Sequence, residues 1–82
     1  MSVEVTTLDE FAAFRDRVLV VAEKIREMGY GTQAAIAFDC RLNQSRISNV
    51  LRARVVDIEC IDRIEAWLKM QAIEQAREAI TA

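Results

Sequence analysis

From Asn43 to Arg52 the chain carries Gln44, Ser45, Ser48, Asn49 and Arg52 at spacings that share one side of a helix. Those are hydrogen-bonding side chains suited to nucleic acid. Asparagine and glutamine amides pair in a bidentate way with adenine, guanidinium groups pair with guanine, and serine reads either or holds a phosphate. The charge around them has one sign. Residues 41–54 hold Arg41, Arg46, Arg52 and Arg54 and no acid, so this stretch carries +4 while the whole chain is at −2, leaving −6 on the remainder. A compact basic segment on an acidic body can still bind a polyanion, and the acidic remainder limits non-specific attachment. On charge alone, a solvated helix face accounts for the four arginines equally well.

Other chemistries find little support. There is no histidine, which argues against a zinc finger. The two cysteines, Cys40 and Cys60, are too far apart in sequence for a paired metal motif and lack an evident base partner, so the expectation is plain buried thiols. No phosphate-binding glycine loop occurs, and the carboxylates are scattered and not paired. The expectation is therefore a chain with no enzymatic activity, no cofactor and no metal.

Eighty-two residues, 52% apolar and 29% charged, are expected to form one globular domain with one modest core. No apolar run, Val18 to Ala22 included, comes near the ~20 residues of a membrane span. The opening MSVEVTTLDE has no basic region followed by an apolar stretch, so no secretory leader and a cytoplasmic location are expected.

The elements that must position the polar face all read as helices. Nothing alternates with period two, proline is absent, and the only glycines are Gly29 and Gly31. A first, extended helix is expected from Thr7, which with Glu10 forms a capping box. Phe11, Phe14, Val18, Val21, Ile25 and Met28 give it an apolar stripe. Leu19, Val20 and Ala22 widen that stripe and predict burial on more than one side. Gly29 ends it. A second helix is predicted from Gln33 to about Cys40 with Thr32 as its N-cap and Ile36, Ala37 and Cys40 inward. Asn43 caps a third, with Ile47, Val50 and Leu51 inward. Asp57 caps a fourth, with Glu59 in its first turn and Val56 and Ile61 at staple positions. Its inner face is expected to comprise Ile58, Ile61, Ile64, Trp67 and Leu68. Residues 70–80 continue this helix or make a fifth. Met70, Ile73, Ala76 and Ile80 give that tail a thin apolar stripe. The fold expected is an all-α bundle of four to five helices.

Two segments then become specific. Thr32-Gln33-Ala34-Ala35-Ile36-Ala37, followed by Leu42-Asn43-Gln44-Ser45-Arg46-Ile47-Ser48-Asn49-Val50-Leu51, resembles the helix-turn-helix of the lambda-repressor-like family of phage repressors and Cro proteins. Ala37 stands where the family needs a small residue at the helix crossing, and Ile47 where it has the buried anchor of the recognition helix. The likeness runs over roughly residues 15–68, with the helix-turn-helix at 32–54. A helical N-terminal extension, 1–14, and a C-terminal helical tail, 69–82, lie outside it. Three positions depart from the family: its turn glycine is Arg41, its frequent glycine after the recognition helix is Ala53, and its frequent proline before the next helix is Val56.

The resemblance implies a sequence-specific double-stranded DNA-binding regulator of transcription. Helix 44–52 would enter the major groove, and a homodimer would read a palindromic operator. Gln33 would hold a phosphate and brace Gln44. Gln44, Ser45, Ser48 and Asn49 would face base edges. Arg46, Arg52 and Arg54 would grip the backbone, with Arg46 also a base reader. The helix starts at Thr32 and Asn43 would offer backbone donors to phosphate. The N-terminal turns and the tail are the places for a dimer contact. A lysogeny-type phage activator and an antitoxin with a partner toxin share these features. From another class, a helical protein-interaction module that does not bind DNA remains open.

Overall fold

A computed structural model of the chain describes residues 8–81. Four helices account for nearly all of them: α1, Leu8–Met28; α2, Thr32–Cys40; α3, Gln44–Leu51; and α4, Ile58–Thr81. No strand occurs among the described residues, so the expected all-α class holds. Residues 70–80 continue α4 without a break. The capping role expected of Thr7 lies outside the described residues.

One core joins all four helices. Phe14, Val18, Val21 and Ile25 come from α1, Ile36 from α2, Leu42 from the connection, Ile47 and Val50 from α3, and Cys60, Ile61 and Ile64 from α4. Ala37, Cys40, Leu51, Trp67 and Leu68 pack against its edge. Two expectations about burial fail. Leu19 and Val20 are more than half exposed, because the other helices cover α1 along its 14-18-21-25 stripe and leave its flanks to solvent. Ile58, expected on the inner face of α4, is also exposed, because at 3.6 residues per turn it lies about 120° around the helix from the stripe of Cys60, Ile61 and Ile64 that meets the core. Trp67 is half-buried, and its indole N–H donates to Asp39 Oδ2 of α2 at 2.8 Å.

The helix ends are set by local chemistry. Asn43 caps α3 as expected, its side-chain oxygen accepting from the Ser45 N–H at 2.7 Å. Asp57 Oδ1 accepts from the Cys60 N–H at 3.1 Å, the N-cap pattern for α4. Thr32 does something different from what was expected. Gly31, with φ 88°, takes the cap position, and Thr32 is the first helical residue. Its buried hydroxyl donates back to the Gly29 carbonyl at 2.8 Å. Gly29 and Gly31, both at positive φ, let the chain turn tightly enough to place Thr32 within reach of that carbonyl.

Both α2 and α3 end in the same way. The N–H groups of Arg41 and Leu42 reach back to the carbonyls of Phe38 and Ala37. Those of Ala53 and Arg54 reach Val50 and Asn49. Each is a Schellman motif, which needs its turning residue in the left-handed region. Arg41 and Ala53 both have φ 57°, and these are the two positions where the resembling family uses glycine. A side chain there costs roughly 1–2 kcal/mol, while glycine loses ~0.4–1 kcal/mol through the freedom it adds to the unfolded chain. Ala53→Gly should therefore raise stability by up to about 1 kcal/mol, read as a higher melting temperature. A lower one would show that residue 53 is not held at positive φ.

Candidate nucleic-acid interface

α3 has eight residues, too few to stand alone in water, so its outward face is fixed by what holds its inner one. Ile47 and Val50 are wholly buried. The opposite face presents Gln44, Ser45 and Arg52 to solvent, with Ser48 and Asn49 half-buried beside them. Among the described residues, no side-chain hydrogen bond engages the side chains of Gln44, Ser45, Ser48 or Asn49. No polar side-chain atom is left buried without a partner among the described residues, so these groups are turned to water and available to a ligand.

Gln33, exposed in the first turn of α2, meets Gln44 along one shallow cleft, which Arg26, Tyr30 and Leu51 also line. Sequence position alone separates the two glutamines by a helix and a turn; the fold makes them neighbours. The two amides do not bond to each other, so both keep their full donor and acceptor capacity.

Arg46 is engaged within the protein. Its guanidinium grips Asp57 with Nε to Oδ2 at 2.7 Å and Nη2 to Oδ1 at 3.0 Å, and reaches Glu59 at 3.2 Å. The planar fork matches a carboxylate in both spacing and direction. Arg46 thus ties α3 to the start of α4, and its charge is matched by Asp57 and Glu59. Asp57 is held below the ordinary carboxylate value of 3.8, chiefly by Arg46 and further by the Cys60 N–H, against an opposing effect of burial.

The ion pairs also decide the field around α3. Asp57 and Glu59 are matched by Arg46 and Arg63, and Asp62 and Glu65 by Arg17 of α1. Arg41, Arg52 and Arg54, exposed at the two ends of α3, have no acidic partner among the described residues. The site therefore shows three uncompensated positive charges, one fewer than the count of arginines between 41 and 54.

At the start of α2, the Thr32 hydroxyl and N–H both turn to the Gly29 carbonyl. The Asn43 side chain is committed to capping α3. Two residues with the right placement were not among those singled out from sequence as ligand contacts. Tyr30 stands fully exposed between the two glycines, on the same cleft as Gln33 and Gln44. Arg41 projects from the connection between α2 and α3. Its signal was present in the basic segment, and that of Tyr30 in the Gly-Tyr-Gly run that pushes it outward.

The cysteines show no reactive setting. Both are free thiols, and burial pushes each above its ordinary pKa. No group of residues that could hold a metal ion occurs among the described residues, and no described helix is long and apolar enough to cross a membrane. Comparison with family models, with curated proteins and with solved structures gives no match to this chain.

Asp57 offers a direct check on how α3 is held. Asparagine caps a helix as well as aspartate does, but cannot pair ionically with Arg46. Asp57→Asn should lose only the ion pair, whereas Asp57→Ala should lose a further ~1 kcal/mol with the cap. Because the folded-state pKa is lowered, the ion-pair contribution is full above 3.8 and disappears as pH falls through the folded value. Urea unfolding should show the gap between the native chain and Asp57→Asn flat near neutrality and closing in acid. A gap that widened in acid would rule out this pairing.

Proposed function

We propose that the protein is a sequence-specific double-stranded DNA-binding regulator that reads an operator with the outer face of α3. The observation that carries this reading is the exposed set Gln33, Gln44 and Ser45 with Ser48 and Asn49, unpartnered within the protein and flanked by Arg41, Arg52 and Arg54. In this reading α2 and α3 form a helix-turn-helix. Gln44 and Ser45, at the start of α3, reach base edges first, as the N-terminal residues of a recognition helix do. Asn49 and Ser48 lie deeper and contact the groove floor only after the helix is seated. Gln33 braces Gln44 from the side and donates to a backbone phosphate. Arg41, Arg52 and Arg54 bind phosphate on either side, and Tyr30 adds a hydroxyl to the same strand. Arg46 sets the pose of the helix through Asp57 and makes no DNA contact.

Each protomer presents few base-reading groups, so specificity calls for two copies on a palindrome, with half-sites about one helical turn apart. Supporting a regulator of this kind in the cytoplasm are the resemblance of residues 15–68 and the absence of any membrane-crossing helix among the described residues. One observation favours a second reading: Phe38 is 84% exposed on α2, where an aromatic side chain suits a protein partner. Such a module would keep its function with the arginines neutralised.

Titration of a labelled random-sequence duplex across a salt series separates the two. For a DNA-binding protein, affinity falls linearly with salt on a logarithmic scale, and Arg52→Ala and Arg54→Ala should each reduce the slope by about 1. Gln44→Ala should leave that slope unchanged. Arg46→Lys should also leave it unchanged. A chain that does not bind the duplex even at low salt would favour the protein-interaction module.

A further inference from the structure

The last part of α4 is a helix without a visible reason to be one. Core burial along α4 ends at Ile64, with Trp67 and Leu68 as the last residues packed against it, yet the helix runs on to Thr81. This continuation contributes to an overall shape of 52 × 24 × 23 Å. Along these three turns Met70, Ile73 and Ile80 remain exposed, apolar surface that a partner packed on them would remove from water.

The spacing of the exposed residues identifies the partner. Ala66, Met70, Ile73, Arg77 and Ile80 follow one another at intervals of four, three, four and three, the seam of a two-stranded coiled coil with Met70 and Arg77 at a and Ala66, Ile73 and Ile80 at d. All five are exposed; Ile80 is 81% so. At 3.6 residues per turn, this seam sits about 160° around the helix from the Cys60-Ile61-Ile64-Trp67-Leu68 stripe that meets the core. The cleft between α1 and α4 is lined on the α4 side by Glu65, Leu68, Lys69, Gln71, Ala72 and Gln75; none of these is in the seam, and Lys69 stands between the cleft and the seam.

Flanking charges fix the orientation. Lys69 occupies the g position and Glu74 the following e position. In a parallel, in-register pair, g of one helix meets the next e of the other, so Lys69 faces Glu74 of the second copy twice over. An antiparallel pair about residue 75 would instead set Ile73 against Arg77 and bring Lys69 level with position 81, away from Glu74. The two Lys69–Glu74 pairs and the apolar contacts at 66, 70, 73 and 80 favour the parallel arrangement, against the repulsion between the two Arg77 side chains that it also brings.

We propose that Ala66–Ile80 of α4 is a homodimerisation surface that pairs in parallel with the same segment of a second copy. It rests on the dimeric part of the reading above and is independent of DNA. Arg77 at an a position weakens the pair but restricts its register, as a polar residue in that place does. The pairing sets the two cores on opposite sides of a central two-stranded stem, with the polar face of α3 repeated about its two-fold axis.

Sedimentation equilibrium of the full chain, without DNA, tests this. The native chain should be a dimer. Lys69→Glu or Glu74→Lys, each placing like charges across the seam, should weaken dimerisation roughly tenfold, and the two together should restore it. On a Cys40→Ser background, Ile73→Cys should crosslink on mild oxidation, because d positions face each other only in the parallel register. A monomeric native chain, a double swap that fails to restore the dimer, or a dimer that Ile73→Cys does not crosslink would each overturn the assignment. Duplex binding measured separately on the same variants shows whether the DNA reading stands or falls on its own.

Discussion

The contact on which the arrangement of α3 depends is the one between Arg46 and Asp57. α3 is too short to hold its own shape, and two wholly buried residues, Ile47 and Val50, fix how deeply it sits but only loosely how it is turned. The forked pairing of guanidinium with carboxylate supplies the missing direction. Asp57 is also the N-cap of α4, so one side chain joins the end of the polar face to the start of the longest helix. Such a pair, partly open to water, adds little to total stability. Its value lies in geometry: it keeps the outward side chains of α3 pointing in one direction.

The same pairing shapes the electrostatics. A chain with net charge −2 would repel a polyanion if its charges were spread evenly. Here Asp57, Glu59, Asp62 and Glu65 are each met by an arginine from another helix or from the next turn. Their negative field is largely cancelled at the α1–α4 and α3–α4 contacts, while Arg41, Arg52 and Arg54 remain uncompensated at the ends of α3. A positive site on an acidic protein thus follows from which acids are matched, more than from how many there are.

Much of the fold was legible because helices announce themselves locally. The stripe of α1, the break at Gly29, and the caps Asn43 and Asp57 all follow from residues within one or two turns. Failures came where a distant partner or an unusual backbone decided the outcome. Thr32 looks like an N-cap by type, but Gly31 at positive φ takes that place and turns the threonine hydroxyl back to Gly29. Leu19, Val20 and Ile58 look like core by type, but no neighbouring helix covers them. Arg46 sits among residues that suit DNA, and only the fold brings Asp57, eleven positions on, beneath it. Arg41 and Ala53 carry the same lesson. Their residue types do not announce a left-handed backbone and so hide the two tight helix ends.

The central claim is that the face of α3 reads DNA sequence. Selection of bound molecules from a random duplex pool at moderate salt tests it most directly. The account predicts enrichment of an inverted repeat whose half-site centres lie about 34–36 Å apart. Absence of any enriched sequence, together with no retention of duplex at low salt, would contradict it.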